Sequence, residues 1–398
     1  LSYYVFFYQL FTNKFPFLQT ECKYSVFLYN HHNFNKEKLF FFNFDILPYF
    51  YIVQCIVKMN LSSLLLIWYQ ENKRHLPWRE TTDAYTIWVS EIILQQTRVA
   101  QGMDYFYCFT QAFPTVQHLA GASETEVLRL WQGLGYYSRA RNMHKAAKMV
   151  IEQYNGLFPT EYNTLLSLPG IGAYTAAAIA SFASNAPYAV VDGNVYRVLS
   201  RILGIDTPID STEGKKLFST LAQEHLDKTE PAQYNQAMMD FGAIQCTPQS
   251  PRCEDCPFAE QCVAYRTHQT DILPIKSKKT AQRKRFFWYL DIWNDHYTYL
   301  QQRTQKDIWQ GLYEPLLIEA PLSEIELLQH PTVLALHGEI VHLSPVYKHV
   351  LSHQIIEARF VKIHIAQENA LLESMQKISD TELNHYPVSR LIDKYRKE

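Results

Sequence analysis

Four cysteines, Cys246, Cys253, Cys256 and Cys262, stand at the spacing C-x6-C-x2-C-x5-C, close enough along the chain to wrap one soft-metal centre. We read no secretory signal in the chain, so thiols this close point to four-thiolate zinc or an iron–sulfur cluster rather than to disulfides. Spacing alone leaves the metal open. Tetrahedral zinc sites usually show two short Cys-Cys knuckles, whereas here only Cys253 and Cys256 form one, which favours a cubane [4Fe-4S] cluster. The other cysteines, Cys22, Cys55 and Cys108, share no such spacing and read as incidental or buried thiols.

A second signature is Leu168-Pro169-Gly170-Ile171-Gly172-Ala173-Tyr174-Thr175, followed by the small-residue run Ala176 to Ala180. Two glycines between helix-like segments make a helix-hairpin-helix turn. Gly170 and Gly172 permit positive φ and close backbone approach, so amides at the start of the second helix could hold a phosphate oxygen. Such turns also occur without function, and the hairpin becomes informative only beside the cysteine set.

Both signatures need a scaffold. The chain of 398 residues is long enough for two domains, and 47% hydrophobic residues is ordinary for a globular protein. A formal net charge of -2 excludes a global basic field, so any nucleic-acid contact must be local. Residues 1–58 are crowded with Phe, Tyr and Asn, show no helix or strand period and begin at Leu1. We expect them to be a non-native or disordered leader, with the functional chain starting near Met59, where an amphipathic pattern begins. The apolar stretch Ile46 to Val57 is too short and aromatic for a signal peptide or membrane span.

From 59 to 270 the periodicity predicts an all-α domain, with helices over 85–96, 124–132, 138–154, 162–168, 174–184 and 214–225. Pro274 and the basic run Lys276 to Arg285 read as a linker over 271–285. From 286 to 398 the pattern is α+β, with strands over 286–291, 296–302, 313–319, 339–343 and 354–364, and helices over 323–329 and 379–384.

At this point the chain, over roughly 59–398, resembles the endonuclease III superfamily, and more closely its adenine DNA glycosylase branch, the MutY family. The resemblance rests on Leu76-Pro77-Trp78-Arg79, Ser90-Glu91-Ile92-Ile93-Leu94-Gln95-Gln96-Thr97 and Gly133-Leu134-Gly135-Tyr136-Tyr137-Ser138-Arg139. It continues through the hairpin, Val191-Asp192-Gly193-Asn194-Val195-Tyr196-Arg197, Asn235-Gln236-Ala237-Met238-Met239-Asp240 and the four cysteines. It implies a multidomain protein: an all-α helix-hairpin-helix glycosylase domain with an iron–sulfur module over 246–262, then an α+β Nudix-like domain that reads 8-oxoguanine.

The implied reaction is hydrolysis of the adenine N-glycosidic bond, which needs two carboxyls in unlike protonation states. Glu91, beside Ile92, Ile93 and Leu94, would be raised in pKa and protonate the leaving base, by family analogy at its N7 nitrogen. Asp192, at a helix start, would stay anionic and stabilise or attack the sugar cation, and an ordinary N-cap role is compatible with this. Asn194 and Tyr174 would orient Asp192 and the sugar. Lyase members of the superfamily carry a Schiff-base lysine where this chain has Tyr174, so a monofunctional glycosylase is expected.

The resemblance also names DNA-contacting residues. Gln96, with Thr97 completing its motif, and Leu134 and Tyr136 would fill or wedge the gap left by an extruded base. Trp78 and Arg79 would line the adenine pocket and approach phosphate, and Arg252 could meet phosphate beside the cysteines. Lys348-His349-Val350-Leu351-Ser352-His353 matches the lesion-reading loop, with Leu351 where phenylalanine is usual, the Ser352 hydroxyl reading the oxidised edge and His353 beside it. The chain lacks the G-x5-E-x7-R-E-x2-E-E run of a magnesium pyrophosphatase. Together these readings give a monomer acting on duplex DNA with A:8-oxoguanine or A:G mispairs, without membrane contact, in a bacterial cytoplasm at the nucleoid. An oxidised-pyrimidine lyase, or a non-catalytic DNA-binding module with a metal-stapled hairpin, are the competing readings.

Overall fold

Helix starts in this protein coincide with side chains that satisfy free backbone amides. In the computed structural model, which describes residues 61–277 and 282–398, Asp83 caps the helix Ala84–Leu94, and Ser123 closes a capping box on Glu124–Leu130. Asp192 caps Gly193–Leu203, and Ser211 caps Thr212–His225. Asn155 and Asn185 end Ser138–Tyr154 and Ala173–Ser184 in the left-handed conformation that Asn tolerates.

The helices that frame the site run in chain order α1 Leu61–Asn72, α2 Ala84–Leu94, α3 Val99–Ala112, α4 Val116–Gly121, α5 Glu124–Leu130 and α6 Ser138–Tyr154. They continue with α7 Tyr162–Ser167, α8 Ala173–Ser184, α9 Gly193–Leu203, α10 Thr212–His225 and α11 Pro231–Asp240. Apolar residues encircle α2, so nine of its residues are buried and it passes through the core. The alanines of α8 let it lie close against α2. A five-residue π turn, Phe241–Gln245, follows α11 and leads into the cysteine segment, where α12 Val263–Arg266 begins at Cys262.

Beyond residue 282 a mixed eight-stranded sheet forms, with order β3-β2-β1-β7-β5 and with β4, β6 and β8 paired to β1, β7 and β2. Its spine is the parallel pair β1 Arg283–Trp293 and β7 Gln354–His364, in register over their whole length. The other strands are β2 Tyr297–Gln302, β3 Tyr313–Glu314, β4 Leu316–Glu319, β5 Glu339–Leu343, β6 Tyr347–Val350 and β8 Gln376–Ser379.

Helical and sheet residues share one core. Leu128, Trp131 and Tyr137 belong to the same buried cluster as Phe287, Tyr289, Trp309 and Phe360. The chain from Leu65 to Glu398 is accordingly one compact unit. Among the described residues no helix is long and apolar enough to cross a membrane.

The structure departs from expectation in particular places. The proposed leader, 1–58, lies outside the described residues. The basic run expected as linker through 285 already enters β1 at Arg283, whose amide bonds to the His353 carbonyl. A helix was expected over 379–384. Instead 376–379 pairs with β2, and a single 3-10 turn, Leu383–His385, follows. The predicted strand 313–319 is broken at Pro315, and β6 was not anticipated.

Candidate active site

The carboxyl of Glu91 is delivered into the interior by α2, and only 5% of the residue is exposed. It faces a cavity of about 550 Å³ that is also lined by Trp78, Arg79, Tyr174, Asp192, Asn194 and Arg197. Residues separated by as much as 119 positions in sequence therefore converge on one chamber. Burial pushes Glu91 up to about 7. The charge of Asp192 adds to this, while the hydrogen bond from Tyr174 and the charge of Arg79 oppose it. Tyr174 Oη donates to Glu91 Oε2 at 2.8 Å. Burial holds that phenol well above its ordinary value, so it is a neutral donor.

Asp192 enters the cavity as the N-cap of α9. Its Oδ1 accepts the backbone N–H groups of Asn194 and Val195, both at 2.8 Å, and its Oδ2 accepts Asn194 Nδ2 at 2.7 Å. These donors and Arg197 favour the anion, as expected from a helix start. Burial nevertheless outweighs them and raises Asp192 above its ordinary value. The cause is that its surroundings come from several distant elements, not from α9 alone.

A relay extends from Asp192 to the cysteines. Asn194 Oδ1 accepts Arg197 Nη2 at 2.8 Å, and Arg197 Nε donates to the Cys246 carbonyl at 2.8 Å. The same guanidinium donates to the Gly242 carbonyl at 2.6 Å. A Cβ on Gly242 would stand 2.5 Å from Asn194 Cβ, so only glycine lets the π turn approach this closely.

Arg79 is not the free phosphate contact that was expected. Its guanidinium forms a two-pronged pair with Asp240, at 2.6 and 2.8 Å, and Arg74 binds the same carboxylate. Asp240 is fully buried. Trp78 is buried with its ring edge-on to Phe106, and it lines the cavity as predicted.

The remaining sequence candidates divide by exposure. Gln96 and Tyr136 are exposed, at φ 56° and 48°, in the left-handed region. Thr97 lies half-buried on the cavity rim. Leu134, from the same turn as Tyr136, is packed into the core at 8% exposure and is not presented as a wedge. Gly170 is left-handed at φ 80° and exposed, while Gly172 is extended and caps α8, leaving open space in front of it. Leu351 packs half-buried against the core, whereas Ser352 and His353 are exposed. The Ser352 hydroxyl meets the Tyr136 hydroxyl at 2.6 Å, joining the lesion-loop candidate to the wedge candidate. Arg252 is exposed but donates to the Ile244 carbonyl.

The four cysteines are free thiols round one small cavity of about 20 Å³. Among the described residues no three His, Cys, Asp or Glu side chains converge on a single-ion position. Four thiols round one space are the donor set that an iron–sulfur cluster takes. Burial, reinforced by the neighbouring sulfurs, raises Cys253, Cys262 and Cys256, the last to about 12. Thiols raised in this way gain ligand character only when a cationic centre compensates their charge. Arg201, which donates to Cys246 Sγ at 3.4 Å, adds positive charge beside them.

Arg197 and Asp240 appeared in the sequence only inside longer motifs. Their roles depend on partners in other elements, and no local pattern could have isolated them.

Residues 89–224 match the HhH-GPD superfamily of base excision DNA repair proteins, 246–262 the iron–sulfur binding domain of endonuclease III, and 288–398 the NUDIX domain. An adenine DNA glycosylase of Buchnera aphidicola subsp. Acyrthosiphon pisum is 35% identical over 259 residues, 65% of this chain and 74% of that protein. The adenine DNA glycosylases of Mus musculus and Homo sapiens are 46% and 45% identical over 216 and 219 residues. Those matches cover 52% of this chain and 42% and 40% of theirs. With all three domain matches in sequence order and a relative of this extent, the chain belongs to the adenine DNA glycosylase (MutY) family, as a DNA glycosylase of base excision repair that carries a [4Fe-4S] cluster.

Proposed function

We propose that this chain is a monofunctional glycosylase that hydrolyses the bond between deoxyribose and an adenine mispaired with 8-oxoguanine or guanine. The observation that carries the reading is the convergence of Glu91 and Asp192 on one cavity, with Tyr174 between hairpin and acid. A base inside a duplex cannot reach that cavity, so the adenine must rotate out, with Gln96 and Tyr136 occupying the gap. Trp78 then lines the pocket that receives it.

Glu91, neutral in a substantial fraction near pH 7, gives its proton to the ring of the leaving adenine. The bond from the sugar C1′ to the base breaks with its electron pair on the base, and the sugar becomes cation-like. Asp192 offers its anion to that cation, while Asn194 and Val195 hold the carboxylate in position. Water adds at C1′, and the proton it releases restores Glu91. Tyr174 has no amine and cannot form a Schiff base, so the sugar is left intact as an abasic site.

Excision of an undamaged base requires a check on its partner. Ser352 and His353 supply it, because their exposed loop lies against Tyr136. The amides at the start of α8, after Gly170 and Gly172, take a backbone phosphate. Cys246, Cys253, Cys256 and Cys262 hold the cluster, whose contribution is structural closure of the segment behind Arg197. The C-terminal domain acts as a reader and not as a nucleotide hydrolase, since the glutamates of the pyrophosphatase run are missing.

The test is single-turnover excision on duplexes carrying adenine opposite 8-oxoguanine, guanine, cytosine or thymine, with borohydride present in a parallel series. The reading requires adenine release at 8-oxoguanine and guanine, with no trapped covalent complex. A borohydride-trapped covalent complex, or release of oxidised pyrimidines instead of adenine, would replace it with the lyase reading.

A further inference from the structure

Arg139 stands in the first turn of α6, where the helix dipole disfavours a cation. It is also largely buried, which lowers its pKa to about 10, so it remains charged at neutral pH. Both features are costs, and the hydrogen bonds explain what offsets them. Nη1 donates to the carbonyls of Ile92, Ile93 and Gln95, at 2.8, 3.1 and 2.6 Å. Nη2 donates to those of Leu134 and Gly135, at 3.4 and 3.2 Å. The first three are carbonyls at the C-terminal end of α2, which helix geometry leaves without internal partners. The other two belong to the turn that carries Tyr136. The guanidinium also lies over the rings of Trp131 and Tyr136, at 5.2 and 5.6 Å.

One cation thus ties together the backbones immediately before Gln96 and Tyr136, two exposed left-handed residues, of which Gln96 adjoins Thr97 on the cavity rim. We propose that Arg139 is a positioning residue for base extrusion, fixing the separation of Gln96 and Tyr136 so that both can enter the duplex together. This rests on the insertion roles given to those two residues above. Lysine would keep the charge but lacks the planar fork needed to bridge two segments.

The experiment compares wild type, Arg139→Lys, the pair Gln96→Ala with Tyr136→Ala, and the combination of all three. Each is assayed by single-turnover excision of adenine opposite 8-oxoguanine and by fluorescence of 2-aminopurine at the target position, which reports unstacking. Arg139→Lys should slow excision about 10- to 100-fold and abolish the fluorescence rise, with the pH midpoint of the rate unchanged. The triple variant should be no slower than the double, because Arg139 acts only through the residues already removed. A further full loss in the triple variant would overturn the proposal and leave Arg139 a structural staple. Wild-type excision by the double variant would overturn both this and the insertion reading, and the double variant alone reveals that case. If thermal melting shows that Arg139→Lys does not fold, Gly135→Ala replaces it in the same comparison. Gly135 has φ 73° and open space at its Cβ, so alanine shifts the turn by backbone strain while Arg139 stays.

Discussion

Glu91→Gln separates the usefulness of the buried acid from its cost to folding. Burial moves the carboxyl from 4.5 to about 7. Between those values the folded chain holds a proton that the unfolded chain has released, so stability falls as pH rises through the window. The loss is about 1.4 kcal/mol per pH unit, roughly 3 kcal/mol in all, and it stays at that level above pH 7. Glutamine has nearly the same shape and retains an acceptor for the Tyr174 hydroxyl, yet it has no charge to desolvate. The variant should therefore match wild type near pH 4.5 and exceed it progressively above, by about 2 kcal/mol at pH 6 and about 3 kcal/mol at pH 8. Single-turnover excision should meanwhile fall by about 10²- to 10⁴-fold, the usual contribution of a general acid. In wild type the protonated fraction drops from about 0.9 at pH 6 to about 0.1 at pH 8, and the excision rate should follow it. Paired thermal melts from pH 5.5 to 8.5, alongside the rate profile, read both effects. A melting difference that does not widen with pH would refute the desolvation argument, and retained excision would remove Glu91 as the acid.

Three other perturbations probe the rest of the site. Arg197→Met breaks the link from the Cys246 carbonyl to Asn194 and should slow excision about 10- to 100-fold, while the brown iron–sulfur absorbance decays faster under chelator. Ser352→Ala should narrow the 8-oxoguanine over guanine rate preference about fivefold, the worth of one hydrogen bond near 1 kcal/mol, with the guanine rate unchanged. Asp240→Asn leaves two guanidinium groups against a neutral amide in a buried site and should destabilise the fold by about 3–5 kcal/mol, read as a lower melting temperature. The wild-type advantage over that variant should shrink in acid, because Arg79 and Arg74, outweighing burial, hold Asp240 below its ordinary value.

How much of this was legible beforehand depends on whether the determining interaction is local. Glu91 was singled out by the family motif Ser90 to Thr97 around it, and its apolar neighbours Ile92, Ile93 and Leu94 then gave the direction of its pKa. Asp192 was legible as an N-cap because residue type and the following glycine settle it within one turn. The desolvation it meets was not, since that is imposed by elements remote in sequence. The pairing of Arg79 could not be read, because its partner, Asp240, lies 161 residues away. Leu134 and Tyr136 were both candidate wedges, with Tyr136 preferred. The left-handed turn at Gly133, Gly135 and Tyr136 decides which of them faces outward, and the letters alone do not show that rotation. The short strands β6 and β8 exist because β7 and β2 offer them partners, so their own few residues carried too little pattern to be read.

Four positions that break local rules are linked to one another around the site. An acid sits in an apolar helix, an arginine at the unfavourable end of a helix, and two ordinary side chains in the left-handed region. All four belong to the backbone around one cavity or are tied to it through Arg139. Each carries a cost, about 1–3 kcal/mol for a left-handed non-glycine residue alone, and at Arg139 the hydrogen bonds offset it. Left-handed non-glycine residues also occur elsewhere, at Asn155, Asn185, Ser250, His268, Trp309 and His337, so strain by itself does not mark the site. What sets Glu91, Gln96 and Tyr136 apart is that the backbones around them are joined through Arg139 where a base must be extruded and protonated, and Glu91→Gln should gain stability while losing excision.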